Sequence, residues 1–357
     1  MKIAFFGSSL VSAYWNGAAT YYRGLIRALA GLGHDVSFYE PDAFERQRHR
    51  DIEDPAWATV VVYGGEEQRD ALAALEQAAG ADVLVKASGV GVFDALLERQ
   101  VPDTDAGLHV FWDVDAPATL GRLEADPTDP LHELLPRYDL VLTYGGGDPV
   151  VERYRARGAQ RCVPIYNALD PETHHRVEPD ERFACDLAFL GNRLPDREAR
   201  VEEYFLRAAA RAEGATFLLG GNGWESRPLP QNVRYVGHVY THEHNALNST
   251  ARAVLNVSRA SMAENGFSPA TRVFEAAGAG ACVISDDWLG IEQFLEPGRE
   301  VLVARDGIEV ASLVRDLDDD GAREIGEAAQ RRVLGEHTYA RRAEQVDAIL
   351  VAEATHV

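Results

Sequence analysis

The sequence has few cysteines and no long apolar run. Its three cysteines, Cys162, Cys185 and Cys282, are scattered along 357 residues. An odd, dispersed set argues against a disulfide framework and against a cysteine zinc site, so we expect buried free thiols in a reducing cytoplasm. No apolar run approaches the ~18 residues that a membrane helix requires. The composition therefore predicts a cytoplasmic protein without integral membrane contact.

Positive charge is also scarce. The chain has 35 Lys and Arg against 57 Asp and Glu, a formal net charge of −22. Such a surface repels DNA, RNA and anionic membranes, which excludes nucleic acid as a general partner. A local basic patch around a single nucleotide remains compatible with this balance.

The length and composition are those of a globular protein with two domains. With 46% hydrophobic and 26% charged residues, the 357-residue chain can form two separate cores. Lys2 and the apolar residues 3–6 faintly match a signal peptide. Residues 7–9 interrupt that apolar stretch, however, and it is better explained as a first buried strand.

Short apolar runs alternate with amphipathic stretches along the whole chain, a pattern typical of parallel α/β sheets. The first βαβ unit is typical of a nucleotide-binding, Rossmann-like layer. It lacks the G-x-G-x-x-G dinucleotide motif, so a dinucleotide dehydrogenase is not supported. The predicted strands cover residues 2–6, 34–39, 59–63, 81–86, 108–112, 138–144, 161–166, 185–190, 216–219, 233–239, 255–257 and 281–285.

One motif lies just before and after the last of these runs. A polar loop containing Ser268 leads into a short predicted helix that starts near Thr271 and Arg272, with Glu275 in its first turn. Because a helix N-terminus carries partial positive charge and unpaired N–H groups, it suits a phosphate. One surface would then offer cationic and N–H donors to a diphosphate and a carboxylate to a ribose. The alternative is an ordinary helix–turn–strand unit whose glutamate faces water.

The stretch FSPATRVFEAAGAGACVISDDWLGIEQFLEPGRE at 267–300 resembles the donor-binding segment of GT-B glycosyltransferases. The resemblance is to the family-4 type and especially to the spore-maturation-type branch. Their pattern R-x-F-E-A-A-x-x-G-x-x-x-I-(S/T)-D, with P-G-x-E downstream, is present from Arg272 to Asp286 and from Pro297 to Glu300. We also expect a second loop–helix unit from residue 286, ended by Pro297.

The resemblance implies further donor-binding residues. Arg193 and Arg197 match the family's G-R-L…K motif, in which cations stabilise the diphosphate leaving group without a metal. A surface salt bridge is the alternative role for Arg197. Gly17 matches the glycine of the loop near the donor phosphates, and the alternative is a flexible residue before a helix. Gly237 and His238 would border the nucleobase, although a lone histidine in a strand is more often structural.

Two carboxylates follow the strand at 108–112. Asp113 and Asp115 lie at its C-terminal end, where ligands bind in open α/β sheets, within a segment that resembles the W-D-x-D-x-P of the spore-maturation-type branch. One of them, Asp115 ahead of Asp113, is a candidate base for an acceptor hydroxyl. Turn formation and helix capping are the alternative. Residues 40–58, rich in Arg and His, are predicted to be a solvated segment, with acceptor binding as the alternative.

The sequence departs from family 4 in two places. Family 4 has two glutamates separated by seven residues, and Glu275 matches the second. Phe267 stands at the position of the first, and Glu264 is out of register. Family 4 also has a histidine in a loop of its N-terminal domain. The one nearby candidate here is His109, which lies inside a predicted strand. Retention or inversion of stereochemistry is therefore left open.

The resemblance implies two Rossmann-like domains facing a central cleft, the GT-B architecture. The expected boundaries are 1–170 for the acceptor domain, 171–335 for the donor domain and 336–357 for a helix crossing back, with a linker near 168–182. The expected activity is hexosyl transfer from a nucleoside-diphosphate sugar, UDP or dTDP favoured, to a small-molecule or glycan acceptor. No cofactor and no metal are expected. The alternatives are a GT-B epimerase or phosphorylase, or a non-catalytic nucleotide-sugar or glycan-binding protein.

Overall fold

The computed structural model describes residues 1–355, which form two α/β units. The first unit comprises residues 1–166 and the helix that begins at Tyr339, and the second comprises residues 167–338. Each unit has its own hydrophobic core, and each core lies against a sheet whose strands are all parallel.

The first unit is built on a seven-stranded sheet with the order β3-β2-β1-β4-β5-β6-β7. Its apolar strands are buried on both faces, as the continuous apolar runs predict. The strands are β1 (Lys2–Phe6), β2 (Asp35–Asp42), β3 (Thr59–Gly64), β4 (Val83–Ala87), β5 (Leu108–Asp113), β6 (Leu140–Thr143) and β7 (Cys162–Pro164). The connecting helices are α1 (Ala19–Gly31), α2 (Gln68–Ala78), α3 (Asp94–Gln100), α4 (Ala116–Ala125), α5 (Leu131–Leu134) and α6 (Gly147–Arg155).

The second unit has a six-stranded sheet with the order β10-β9-β8-β11-β12-β13. Its strands are β8 (Leu187–Leu190), β9 (Phe217–Gly220), β10 (Val233–Gly237), β11 (Ala253–Asn256), β12 (Cys282–Asp286) and β13 (Leu302–Ala304). Its helices are α7 (Pro195–Val201), α8 (Arg207–Arg211), α9 (Thr241–Thr250), α10 (Ala260–Asn265), α11 (Thr271–Gly278), α12 (Gly307–Asp316) and α13 (Asp319–Glu336). A π-helical turn, Glu202–Leu206, joins α7 to α8.

The last helix, α14 (Tyr339–Ala354), returns to the first unit and packs on α1. Gly24 of α1 makes this packing close, because a Cβ there would lie 2.2 Å from Cδ2 of Tyr339. Arg342 of α14 donates to the carbonyl of Tyr166. No helix in the described part of the chain is long and apolar enough to cross a membrane.

Both sheets reverse their strand order at one point, between β1 and β4 in the first unit and between β8 and β11 in the second. At such a switch point the loops after the two central strands diverge to opposite faces and leave a crevice at the carboxyl edge. The loops that carry most of the predicted site residues start from these edges.

The structure corrects two local predictions. The stretch after Asp286 forms only a short 3₁₀ turn, Ile291–Gln293, because Gly290 before it is left-handed (φ 93°) and Pro297 follows soon after. Arg46, predicted to lie in a solvated segment, is buried, and its guanidinium donates to the carbonyls of Ser8 and Val90. The three cysteines are free thiols as expected, with Cys162 and Cys282 buried and Cys185 half-buried.

The close approach of α14 to α1 predicts opposite effects for two glycine substitutions in one helix. Gly24→Ala is expected to destabilise the protein by about 1–3 kcal/mol, since the new methyl group meets the buried ring of Tyr339. Gly31→Ala, where a Cβ meets nothing within 4 Å, is expected to be neutral or stabilising by up to about 1 kcal/mol. Urea unfolding of the two variants beside the wild type measures both values. Equal stability of the two variants would contradict this packing.

Candidate active site

Two arginines share one aromatic ring at the carboxyl edge of the second sheet. Phe189 of β8 is fully buried, and the guanidinium carbons of Arg197 and Arg272 lie 5.7 and 5.4 Å from its ring centroid. Arg197 comes from the loop and helix after β8, and Arg272 is the second residue of α11. The two sides of the switch point thus each deliver one cation to the same place.

Neither cation has an ion-pair partner within 4 Å among residues 1–355. Arg197 donates to the carbonyl of Asn192 at 2.7 Å, and its buried Nε has no hydrogen-bond partner. Arg272 makes one long hydrogen bond of 3.5 Å to Oδ1 of Asn256. Burial, followed by the charge of Arg272, lowers the pKa of Arg197 to about 10. Burial also lowers the pKa of Arg272, which Glu275 and Asp286 partly oppose. These two guanidinium groups, neither of which is ion-paired within the described residues, are therefore suited to bind an anion.

The other two arginines after β8 are already paired. Arg193, predicted to bind the diphosphate, donates to Glu198 at 2.6 Å. Arg200 donates to Asp286 at 2.6 Å and to the carbonyl of Ser258. Asp286 is fully buried, and burial raises its pKa against the opposing effect of Arg200. The Arg200–Asp286 pair, which holds β12 to α7, was not predicted, although Asp286 is the aspartate of the I-S-D motif.

The loop before α11 is held by hydrogen bonds from two side chains to its backbone carbonyls. Gly266 and Phe267 are both left-handed (φ 68° and 46°), a conformation that is strained for phenylalanine. Ser268 is buried and its hydroxyl donates to the carbonyl of Gly266. Asn167, a residue that sequence reasoning missed, donates to the carbonyl of Pro269 at 3.2 Å. The hydroxyl of Ser268 therefore supports the loop in this structure.

Helix α11 begins without a side-chain cap. Its N-cap residue is Ala270, which has no oxygen to accept from the first turn, and Thr271 is its half-buried first residue. Such a terminus leaves N–H groups and partial positive charge beside the guanidinium of Arg272.

Glu275, one turn along α11, lies near two histidines from other segments. Its Oε1 is 3.9 Å from Nε2 of His174, which is buried and has no hydrogen-bond partner. His244 of α9 lies on the other side of the group, and its ring centroid is 6.4 Å from that of His174. Burial lowers the pKa of His244, while Glu275 opposes this effect. This group is not predictable from a local motif, because its members are 70 and 31 residues apart.

Gly237 is the last residue of β10, and the exposed His238 follows it. Gly237 is left-handed (φ 72°), the register of β10 shifts beside it, and its carbonyl accepts from the backbone N–H of Gly221. His238 is exposed, 3.4 Å from the side-chain amide of Asn222 and edge-on to the ring of Tyr240. This surface offers an exposed ring and a close backbone approach, both of which suit a planar base.

In the first unit, Asp113 and Asp115 have different surroundings. Asp113 is fully buried and accepts from the hydroxyls of Ser88, Thr119 and Tyr154 and from the N–H of Asp115. With four protein donors around it, Asp113 holds the turn between β5 and α4. Asp115 is half-buried at the N-cap of α4, and its side chain does not cap the helix. Asp115 is therefore the more exposed of the two carboxylates.

Gly17 lies in the loop between β1 and α1. It is exposed, and a Cβ there would meet nothing within 4 Å. The loop is ordered by Asn16, whose amide donates to the carbonyls of Ser9 and Ser12, and by Glu40, which accepts from Ser9 and from the N–H of Leu10. The backbone at Gly17 is therefore open to a ligand but makes no demand for glycine by itself.

Comparison with known proteins connects this geometry to a fold family. Residues 197–348 match the family model described as "Glycosyl transferase-like". Sucrose-phosphate synthase from Thermosynechococcus elongatus superimposes over 100% of both chains, with a TM-score of 0.73 and 14% identity. The chain has the GT-B fold. No protein in the curated set that was searched matches significantly.

Two further GT-B structures cover nearly the same extent. Anabaena HepE, determined with UDP and glucose, aligns over 99% of this chain and 100% of its own, with a TM-score of 0.66 and 16% identity. AviGT4, a glycosyltransferase involved in avilamycin A biosynthesis, aligns over 100% of this chain and 99% of its own, with a TM-score of 0.62 and 19% identity. At these identities the likeness concerns the fold alone.

The arrangement predicts opposite stability effects for two arginines in one helix. Arg197→Met is expected to raise the Tm of the ligand-free protein by about 2–4 °C, equivalent to about 1 kcal/mol, because it removes a half-buried cation beside a like charge. Arg200→Met is expected to destabilise by about 3–5 kcal/mol, because it leaves the buried Asp286 without its partner. Differential scanning calorimetry of both variants tests this contrast. A fall in Tm for Arg197→Met would show that its charge is compensated.

Proposed function

We propose that this protein is a glycosyltransferase that moves a hexose from a nucleoside-diphosphate sugar, UDP or dTDP favoured, to an acceptor hydroxyl or amine. The observation that carries the proposal is the pair of guanidinium groups over Phe189, without an ion-pair partner in the described residues. They lie at the switch point of a doubly wound sheet, which is where such folds bind nucleotides.

We assign the diphosphate to Arg197 and Arg272, with Thr271 and the uncapped start of α11 as hydrogen-bond donors. As the bond from the anomeric carbon to the β-phosphate oxygen breaks, its electron pair stays on that oxygen. Two fixed cations stabilise this charge more in the transition state than in the donor, so they accelerate the step without a bound metal. Arg193 is already paired with Glu198, and we assign it the weaker contribution.

The remaining donor contacts follow from the same edge. The carboxylate of Glu275 would accept from the ribose hydroxyls, and Gly237 and His238 would border the base. The choice of UDP is supported by HepE, whose structure was determined with UDP and glucose. For the acceptor, Asp115 is the proposed base, because it can take the proton as the acceptor oxygen bonds to the anomeric carbon. The W-D-x-D-x-P segment around it is our reason for proposing the spore-maturation-type branch.

Nucleotide binding is the first test. UDP, dTDP, GDP and ADP are titrated calorimetrically with and without Mg²⁺ against wild type, Arg272→Ala and Arg305→Ala, the last an exposed arginine paired with Glu309. We expect micromolar binding of UDP or dTDP that is independent of Mg²⁺, weakened at least about 100-fold in Arg272→Ala and unchanged in Arg305→Ala, because a charge-assisted contact to phosphate contributes about 3 kcal/mol. Absence of binding by all four nucleotides would refute the proposal.

Catalysis is tested by separating the two aspartates. Asp115→Asn is expected to keep donor affinity while lowering transfer by about 10²–10⁴-fold, since an amide cannot accept the proton of the acceptor. Asp113→Asn is expected to lower the Tm, because its amide cannot accept from all four donors that now surround the carboxylate. Transfer rates from a radiolabelled UDP-sugar to a panel of acceptors measure the first effect. Donor binding with unaltered transfer in Asp115→Asn would remove its role, and donor turnover without any acceptor would identify an epimerase.

A further inference from the structure

The group formed by His174, His244 and Glu275 has the composition of a transition-metal site. One potential ligand atom from each residue lies within 4.8 Å of the other two. Two imidazoles and a carboxylate are a ligand set that suits Zn²⁺ and its neighbours in the first transition series, and that Mg²⁺ and Ca²⁺ do not prefer. The three side chains are buried or half-buried, so they differ from the exposed acidic groups common on protein surfaces.

The strongest single sign is the unsatisfied nitrogen of His174. Its side chain is only 3% exposed, and Nε2 faces Oε1 of Glu275 at 3.9 Å without a hydrogen-bond partner in residues 1–355. Buried polar atoms are nearly always paired, and an orphan nitrogen facing a carboxylate needs a bridging group between them. A cation satisfies both atoms at once.

His244 is oriented as a metal ligand with an outer partner. Its Nε2 lies 3.3 Å from the carbonyl of Val239, which fixes the proton on that nitrogen and leaves Nδ1 with a free lone pair. Metal-binding histidines commonly donate their other ring N–H to a backbone carbonyl in this way, which sets the tautomer and the ring plane.

The segments that carry the three residues are tied to one another. Asn245 of α9 accepts from the N–H of His175 and donates to the carbonyl of Thr173, so it holds the chain on both sides of His174. Ser249 of α9 donates to the carbonyl of Ala279, just after α11. The ligand positions are therefore largely preorganised. The ligand atoms, which now lie within 4.8 Å of one another, must approach to about 3.3 Å around a tetrahedral Zn²⁺.

We propose that His174, His244 and Glu275 bind one divalent transition-metal ion of the Zn²⁺ class, with water as the fourth ligand. The ion would join the segment after Asp170 to α9 and α11 and so stabilise the second unit. This site shares Glu275 with the ribose contact proposed above, whereas the arginines assigned to the diphosphate are not among its ligands. Metal binding is therefore measured without nucleotide. The positive charge of Arg272 nearby opposes the cation, and Glu275 offsets it.

The test uses the chelator-treated full chain with Co²⁺ as an absorbing probe and Zn²⁺ as its competitor. We expect visible d–d bands that saturate at one Co²⁺ per chain and disappear when Zn²⁺ is added, and no response to Mg²⁺ or Ca²⁺. Zn²⁺ at about 100 times its Kd is expected to raise the Tm by about 5–10 °C.

Three variants locate the ion. His174→Ala and Glu275→Gln are each expected to weaken Zn²⁺ binding at least about 100-fold. Removing a direct ligand costs more affinity than removing a hydrogen-bond partner of a ligand, which typically costs about 10–100-fold. His242→Ala, in the same helix as His244 but stacked on Tyr240, is the matched control and is expected to bind as the wild type does. Glu275→Gln keeps the shape of the side chain, so it remains informative if His174→Ala folds poorly. No stoichiometric binding by the wild type, or equal binding by wild type and Glu275→Gln, would overturn the proposal. Neither result depends on whether UDP binds.

Discussion

Two like charges held against one aromatic ring are the constraint on which the donor site depends. Arg197 and Arg272 reach Phe189 from opposite sides of the switch point, and parallel strand order is what brings both to the same edge. Buried cations normally acquire a carboxylate partner, as Arg200 does in Asp286 only one turn away. Arg197 and Arg200 lie in the same helix. The charge of Arg200 holds the fold, and we propose that the charge of Arg197 binds a ligand.

Much of the fold follows from local sequence. Continuous apolar runs separated by amphipathic stretches predict parallel strands buried on both faces. Both observed sheets are parallel, and their central strands, such as β4 and β12, are buried throughout. The helix predicted after Asp286 was wrong, because the left-handed backbone at Gly290 is set by its packing against the ring of Phe267 rather than by local composition. Arg46 was misjudged for a similar reason, since distant backbone carbonyls offset the cost of burying it.

The candidate site was predictable only where a motif contained it. Arg272 and Glu275 could be found because they lie within one short segment, whereas the ring that supports Arg272 is about eighty residues earlier in the chain. The pairing of Arg193 with Glu198 depends on the rotamers of two side chains in one loop and helix, and the sequence does not state them. His174 lies 101 residues before Glu275, and only folding makes the two neighbours.

The packing of α14 on α1 also sets an order of assembly during synthesis. A ribosome makes α1 before α14, so the face of α1 that receives Tyr339 stays uncovered until α14 has been synthesised. Residues 167–338 emerge in between and contain all six strands of their own sheet. The second unit can therefore be completed before the first, and the nascent first unit exposes an apolar helix face while residues 167–338 are made.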